Sequence, residues 1–221
     1  MEGGGLVHHV HVQWAGMEFF WDTIWTTWLT MGVLIAFTWA AVRHLQIVPS
    51  GSQNMLETIV ESMQELVESM TGPEGKKMTP YFITLFLFIL VGNMWGLVPF
   101  LTSPTNDLNT TLGLGLISVI GSYVMGVYQK GWGYFKHFLH PVWFMLPMNI
   151  VDELIRPCTL GLRLFVNILV GEVLLMVLID LCPPLIPSLW LLMSVLIGII
   201  QAFVFTLLSA SYYAAVFSHD H

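Results

Sequence analysis

Long apolar runs recur along the chain, with short polar segments between them. A run of about 20 apolar residues is long enough to cross a hydrocarbon core of about 30 Å as an α-helix. The pattern therefore predicts five membrane-embedded helices, over 19–42, 78–100, 111–128, 149–180 and 188–217. The last two flank a proline-rich turn, and we expect them to form a long, tilted helical hairpin. The predicted fold class is an all-α integral membrane protein, with a single membrane domain over 1–221 and an outer N-terminal segment at 1–18.

The segment 52–70 has a different pattern. Its apolar residues recur at helical spacing on one face, whereas Glu57, Glu61, Glu65 and Glu68 occupy the other faces. This predicts an amphipathic helix on the cytoplasmic side of the membrane. Anionic lipid attracts Lys and Arg rather than carboxylates, so we expect the helix to pack against protein. A solvated connector helix is the alternative.

The composition is that of a protein embedded in a lipid bilayer. Hydrophobic residues make up 56% of the chain and charged residues 10%, whereas soluble domains carry about 25% charged residues. The net charge of −7 leaves no basic patch to neutralise phosphates, which excludes nucleic-acid binding. His8, His9 and His11 lack a second pair of ligands, so we expect neither a metal site nor a cofactor.

The basic residues indicate how the chain is oriented. All but one fall where an alternating topology puts them on one side of the membrane: Arg43, Lys76, Lys77, Lys130, Lys136 and Arg156. The loops on the opposite side, 101–110 and 181–188, contain none. The positive-inside rule then predicts an outer N-terminus and a cytoplasmic C-terminus. Arg163 alone breaks the pattern.

Arg163 lies inside an apolar run long enough to cross a bilayer. An arginine near the centre of a membrane helix costs about 2.5–3.5 kcal/mol on insertion scales, and its guanidinium stays protonated in proteins. Such a charge is typical of ion transport or ligand binding. The alternatives are that Arg163 extends to the cytoplasmic boundary or forms an internal salt bridge.

Helical geometry separates the polar residues near Arg163. Asn167 lies about 40° around the helix and one turn away, and Asp152 returns to the same face. Glu172 points about 180° away and lies about 13 Å nearer the outer side. This spread favours two polar pathways interrupted by a positive charge over one ligand site. For Glu172, a neutral carboxyl that only donates a structural hydrogen bond is the alternative.

The last helix adds one large polar side chain, Gln201, with Ser194 seven residues earlier on the same face. Gln201 could reach Arg163 across the hairpin. The alternative is a hydrogen bond that only packs the two helices. The small-residue spacings from Gly113 to Gly115 and from Gly121 to Gly126 indicate helix packing.

The polar motifs together resemble a known family, the a subunit of the F-type ATP synthase membrane sector, and in particular its bacterial members. The resemblance is strongest in the segment from Thr159 to Glu172 (TLGLRLFVNILVGE) and in the segment from Gln201 to Leu208 (QAFVFTLL). Two further matching segments are SPTNDLNTTL, from 103 to 112, and the terminal SHDH, from 218 to 221.

The resemblance implies an ion-conducting stator that faces a rotating ring of c subunits and is held by b-type peripheral stalk subunits. In that family the arginine matching Arg163 acts on the ring carboxylates and separates two aqueous half-channels for H⁺ or Na⁺. Ion flow through them drives rotation of the ring and ATP synthesis, and the active site lies on other subunits. The implied membrane is the bacterial plasma membrane, with the plastid thylakoid as the alternative.

The resemblance also assigns individual positions. Those matching the outer half-channel are Asn167, Glu172, Gln201 and Asp107, and those matching the cytoplasmic exit are Asp152 or Glu153. Ser194 stands where some bacterial relatives carry a histidine paired with the carboxyl that matches Glu172. Val166 stands where many relatives have glycine.

Two other functions are compatible with an intramembrane arginine. A small secondary transporter could bind an anionic substrate at Arg163, and it should then contain inverted repeats or paired broken helices. A structural membrane scaffold is the second alternative, although the clustered intramembrane polar groups count against it.

Overall fold

A computed structural model describes residues 11–14, 17–43, 51–97, 103–131, 146–181 and 185–217. A short antiparallel hairpin comes first, formed by β1 (His11–Trp14) and β2 (Met17–Phe20). The α-helices in these ranges are α1 (Trp21–Val42), α2 (Ser52–Thr71), α3 (Thr79–Trp95), α4 (Leu108–Lys130), α5 (Leu146–Leu181) and α6 (Leu185–Phe217). Short 3-10 helices at Pro73–Met78 and Pro104–Asn106 precede α3 and α4.

The predicted fold class is confirmed. Five helices of the described chain are long and apolar enough to cross a membrane: Trp21–Val42, Gly75–Trp95, Leu108–Tyr128, Leu154–Leu181 and Leu185–Ala215. The helix bounds differ at several ends from those expected. The first helix begins at Trp21 rather than at 19, because Phe19 and Phe20 belong to β2. The second spanning helix ends at Trp95 rather than at 100, and residues 98–100 lie outside the described part of the chain.

The amphipathic helix α2 packs against protein through its apolar face. Val67 is fully buried and packs with Phe82 of α3 and with Ala210 and Tyr213 of α6. The rings of Phe82 and Tyr213 meet edge to face, with their centroids 5.2 Å apart. These contacts agree with the packing interpretation of the segment 52–70, and they contradict a purely solvated connector.

The largest buried cluster fixes the orientation of α5. Leu160 and Leu164 of this helix are almost fully buried and pack with Ile89 of α3 and Phe205 of α6. Arg163 lies between these two buried leucines in the sequence, but it is exposed on the outside of the described chain.

Helices α4 and α5 approach each other at two glycines. A Cβ atom on Gly161 would lie 2.8 Å from the carbonyl oxygen of Thr111, and one on Gly115 would lie 2.5 Å from that of Pro157. Cβ atoms in proteins do not come this close to other atoms. The two backbones can therefore meet here only because glycine has no side chain. The packing role expected for Gly113 is wrong, because no neighbouring atom lies within 4 Å of a Cβ placed there.

Candidate functional site

Arg163 is exposed in a strongly apolar surface of α5. Its neighbours Leu162, Val166 and Val170 are also exposed. The guanidinium forms no hydrogen bond or ion pair with any described residue. The internal salt bridge considered above is therefore absent from this part of the chain, and the counter-charge must come from elsewhere.

A cavity of about 220 Å³ lies between α3, α5 and α6. Its polar lining comes from Asn93 of α3, from Asn167 and Glu172 of α5, and from Trp190 and Ser194 of α6. A water molecule occupies about 30 Å³ in the liquid, so the cavity has room for several. Two of the residues expected in the outer half-channel, Asn167 and Glu172, thus line one cavity, and Ser194 lies in it as well.

The side chain of Glu172 is held by a residue outside the helical hairpin. The Nδ2 atom of Asn106 donates a hydrogen bond of 2.7 Å to Oε2 of Glu172. The other carboxylate oxygen lies beside Gly96, where an added Cβ would be 3.6 Å away. The carboxyl therefore sits between α3 and the segment that precedes α4.

That segment is attached to α3 by buried hydrogen bonds. The hydroxyl of Ser103 donates to the carbonyl oxygen of Gly92 over 2.8 Å, and the hydroxyl of Thr105 donates to Oδ1 of Asn93 over 3.0 Å. Asn93 in turn donates from Nδ2 to the carbonyl oxygen of Gly198 on α6 over 3.1 Å. One network thus connects α3, α6 and the segment that carries Asn106.

Asp107 has a local structural role. Its carboxylate caps α4 by accepting a hydrogen bond of 3.1 Å from the backbone N–H of Asn109. It does not line the cavity, whereas the adjacent Asn106 contacts Glu172. The residue of this segment that reaches the cavity carboxyl is therefore Asn106, which the sequence did not single out.

Asn167 and Glu172, which the family resemblance assigns to the same half-channel, lie on different faces of α5. Both side chains line the same cavity, although they point about 140° apart on α5. The cavity wraps around this side of the helix, because α3 and α6 cover it from two directions. Asn167 lies at the border between the cavity and the exposed face, about 6 Å along the helix from Arg163.

Gln201 lies one turn beyond the cavity, three residues after Gly198. It is buried, and its Nε2 atom has no hydrogen-bond partner among the described residues. No hydrogen bond joins it to Arg163 within the described chain, so the expected contact across the hairpin is not present. By helical rise, Gln201 and Arg163 nevertheless lie about 24 and 27 Å from the turn between α5 and α6, at similar depth.

The residues expected at the cytoplasmic exit lie far from the cavity along α5. Asp152 is exposed near the beginning of the helix. The side chain of Glu153 lies outside the described residues. Arg156, one turn further on, places its guanidinium 5.4 Å from the ring centroid of Tyr212.

Sequence reasoning missed Asn93 as well as Asn106. Asn93 is the one amide in the apolar sequence of α3, and that isolation is a signal that could have identified it. Asn106 carries no such signal, because it stands in a polar loop with many similar residues.

The family model described as "ATP synthase A chain" matches residues 24–214. The chain belongs to this family. ATP synthase subunit a of Moorella thermoacetica is 39% identical over 202 residues, which are 91% of this chain and 92% of the relative. That of Geobacter sulfurreducens is 36% identical over 220 residues, 98% of this chain and 94% of the relative.

A chloroplast protein is also among the relatives of this subunit a family member. The chloroplastic ATP synthase subunit a of Stigeoclonium helveticum is 36% identical over 215 residues, covering 92% of this chain and 87% of the relative. The family match confirms the resemblance seen in the segments around Arg163 and Gln201. With five candidate spans, this member of the family is an integral membrane protein.

Proposed function

We propose that this protein is the ion-conducting stator subunit of a rotary ATP synthase. It provides two half-channels for H⁺ or Na⁺, and Arg163 acts on the carboxylates of a passing ring of c subunits. Ion flow is thereby coupled to rotation and ATP synthesis. The observation that carries the proposal is the exposed guanidinium of Arg163, which has no partner in the described chain and lies one helical turn from, but outside, the cavity that contains Glu172.

The composition of the surface around Arg163 supports contact with a protein partner. In the most apolar stretch of the α5 span, only 6% of the residues are buried by other parts of the chain, whereas 44% are buried in that of the α3 span. The exposed apolar side chains of α5 and α6 include Leu162, Val166, Val170, Leu196, Ile200 and Phe203. Lipid would cover the apolar part of this surface but leave the arginine unpaired, whereas a ring that carries carboxylates neutralises it.

The cavity has the features expected of part of the outer half-channel. It presents a carboxyl, two amides and a hydroxyl, through Glu172, Asn93, Asn167 and Ser194, and has room for water. At Asn167 its lining comes within one helical turn of Arg163. Gln201 continues the same face of α6 from Ser194, at about the depth of the arginine. An ion moving along this path reaches the ring beside Arg163.

The permanent positive charge of Arg163 is suited to separating the two half-channels. A fixed cation within about 4–6 Å of a carboxyl favours its ionised form, which promotes release of the ion from the ring. The same charge repels H⁺ and Na⁺ and blocks a direct leak between the half-channels. An arginine keeps this charge when it is desolvated, whereas a lysine can lose a proton.

The cytoplasmic half-channel, in this proposal, runs toward Asp152 and Glu153. The N-terminus lies outside and the C-terminus in the cytoplasm, in accordance with the basic residues. The membrane is the bacterial plasma membrane, or the thylakoid if the source is a plastid, and b-type stalk subunits hold the stator. Family membership argues against the secondary transporter and the structural scaffold considered from the sequence.

The test is ATP-driven ion pumping by the whole complex in inverted membrane vesicles, followed by quenching of a pH-sensitive dye. Arg163→Ala should abolish pumping while the complex still assembles, because the ring carboxylates lose their counter-charge. Arg43→Ala removes an exposed arginine from the end of α1 and should pump normally. Normal pumping by Arg163→Ala would disprove the proposed function. Sodium dependence of ATP hydrolysis by the purified complex distinguishes Na⁺ from H⁺.

A further inference from the structure

Glu172 is held in the cavity by a single side chain of the described chain. The hydrogen bond from Nδ2 of Asn106 to Oε2 is 2.7 Å long and joins residues 66 positions apart. Asn167 and Ser194 line the same cavity but form no hydrogen bond with this carboxyl. The direction in which the carboxyl points therefore depends on Asn106.

The backbone around Asn106 is fixed on both sides. On one side, the fully buried Ser103 and Thr105 bind Gly92 and Asn93 of α3. On the other, Asp107 caps α4. Buried hydrogen bonds of this kind are costly to break, so the segment presents the amide at a set position.

The amide group of Asn106 suits a carboxyl that gains and loses a proton. A charged carboxylate can accept the hydrogen bond that Nδ2 of Asn106 donates to Oε2 of Glu172. A protonated carboxyl can donate to an amide oxygen, and Oδ1 of Asn106 is buried without a hydrogen-bond partner in the described chain. One neutral side chain can thus hold Glu172 in both states without adding a charge to the path.

The surroundings contain no competing charge among the described cavity-lining residues. Apart from Glu172, the polar groups of the lining are neutral and comprise Asn93, Asn167, Trp190 and Ser194. The carboxylate of Asp107 is directed at the first turn of α4. Asn106 is therefore the group best placed to control this carboxyl.

We propose that Asn106 is the positioning residue of the outer half-channel, which keeps Glu172 directed into the cavity while ions pass. This inference rests on the proposed function and concerns a residue that the sequence did not single out. Asn106 acts through Glu172 and need not touch the ion itself.

The first measurement compares ATP-driven pumping by the whole complex carrying Asn106→Ala or Asn109→Ala. Loss of one hydrogen bond corresponds to about a fivefold to tenfold slower rate for Asn106→Ala, with the amount of assembled complex unchanged. Asn109 is an exposed asparagine in the first turn of α4 whose side chain does not contact Glu172, so its variant should pump normally. Equal rates for the two variants would overturn the inference.

The second measurement repeats the substitution in complexes that carry Glu172→Gln. If Asn106 acts through the carboxyl of Glu172, Asn106→Ala should slow pumping in the unmodified complex but cause little further loss when residue 172 is already glutamine. A merely structural role for Asn106 would lower the rate by the same factor in both backgrounds, and equal factors would overturn the inference. The near-isosteric Asn106→Leu replaces Asn106→Ala in this comparison if the alanine variant proves unstable.

The Arg163→Ala variant, measured in the same vesicles, distinguishes failure of the proposed function from failure of the positioning role of Asn106. Pumping by Arg163→Ala would disprove the proposed function itself. Loss of pumping in Arg163→Ala, together with normal pumping in Asn106→Ala, would disprove only the positioning role.

Discussion

The close contact between α4 and α5 provides a quantitative prediction for Gly161, two residues before Arg163. Replacing Gly161 by alanine places a methyl group 2.8 Å from the carbonyl oxygen of Thr111 and 2.9 Å from two backbone atoms of Leu112. Since these neighbours are backbone atoms, they cannot move aside as a flexible side chain would. The two helices must therefore separate.

The change in stability expected for Gly161→Ala results from two opposing effects. Replacing glycine by alanine in a helix gains up to about 1 kcal/mol from backbone entropy. Overpacking a well-packed contact costs about 1–3 kcal/mol, and more where backbone must shift. For Gly161→Ala we expect a net loss of about 1–2 kcal/mol. For Gly113→Ala, where no atom lies within 4 Å of the new methyl group, only the gain remains.

The assay is thermal dissociation of the purified complex, followed by release of this chain on native gels. Gly161→Ala should dissociate at a lower temperature than the unmodified complex, and Gly113→Ala at the same or a higher one. ATP-driven pumping by Gly161→Ala should also fall, because the segment of α5 that carries Arg163 is displaced. Equal stability of the two alanine variants would refute the reasoning from the contact distances.

Two further predictions concern the cavity and its support. Thr105→Val removes a buried hydrogen bond to Asn93 and should destabilise the complex by about 1–3 kcal/mol in the same dissociation assay, whereas Thr58→Val at an exposed position of α2 should not. Glu172→Gln should slow ATP-driven pumping because its amide cannot exchange a proton, and Asp180→Asn, an exposed carboxyl on the same helix, should leave pumping unchanged. Normal pumping by Glu172→Gln would remove Glu172 from the ion path.

The fold was largely predictable because its signals are local. Runs of apolar residues long enough to span a bilayer define α3 to α6, and the alternation of glutamates with apolar residues defines α2. The ends of the helices were less predictable, because apolar residues such as Phe19 and Phe20 suit a strand as well as a helix. Their assignment depends on strand pairing with β1, which no local pattern reveals.

The site was predictable only in part. Periodicity placed Asn167 and Glu172 on different faces of α5, and it could not show that both residues line one cavity. The contact across the hairpin from Gln201 to Arg163 was plausible at their common depth, yet Gln201 forms no hydrogen bond in the described chain. Angles along one helix do not specify how its neighbours cover it.

The sequence alone determined that this chain lies in a membrane and that Arg163 is its anomalous charge, because hydrophobicity and charge are properties of each segment by itself. Only the tertiary structure decided that Arg163 faces outward and that Asn106 holds Glu172. It also distinguished Gly161, at a close backbone contact, from Gly113, which has open space. Such contacts join residues far apart in the chain, and they depend on how packed helices are rotated and how closely they approach each other.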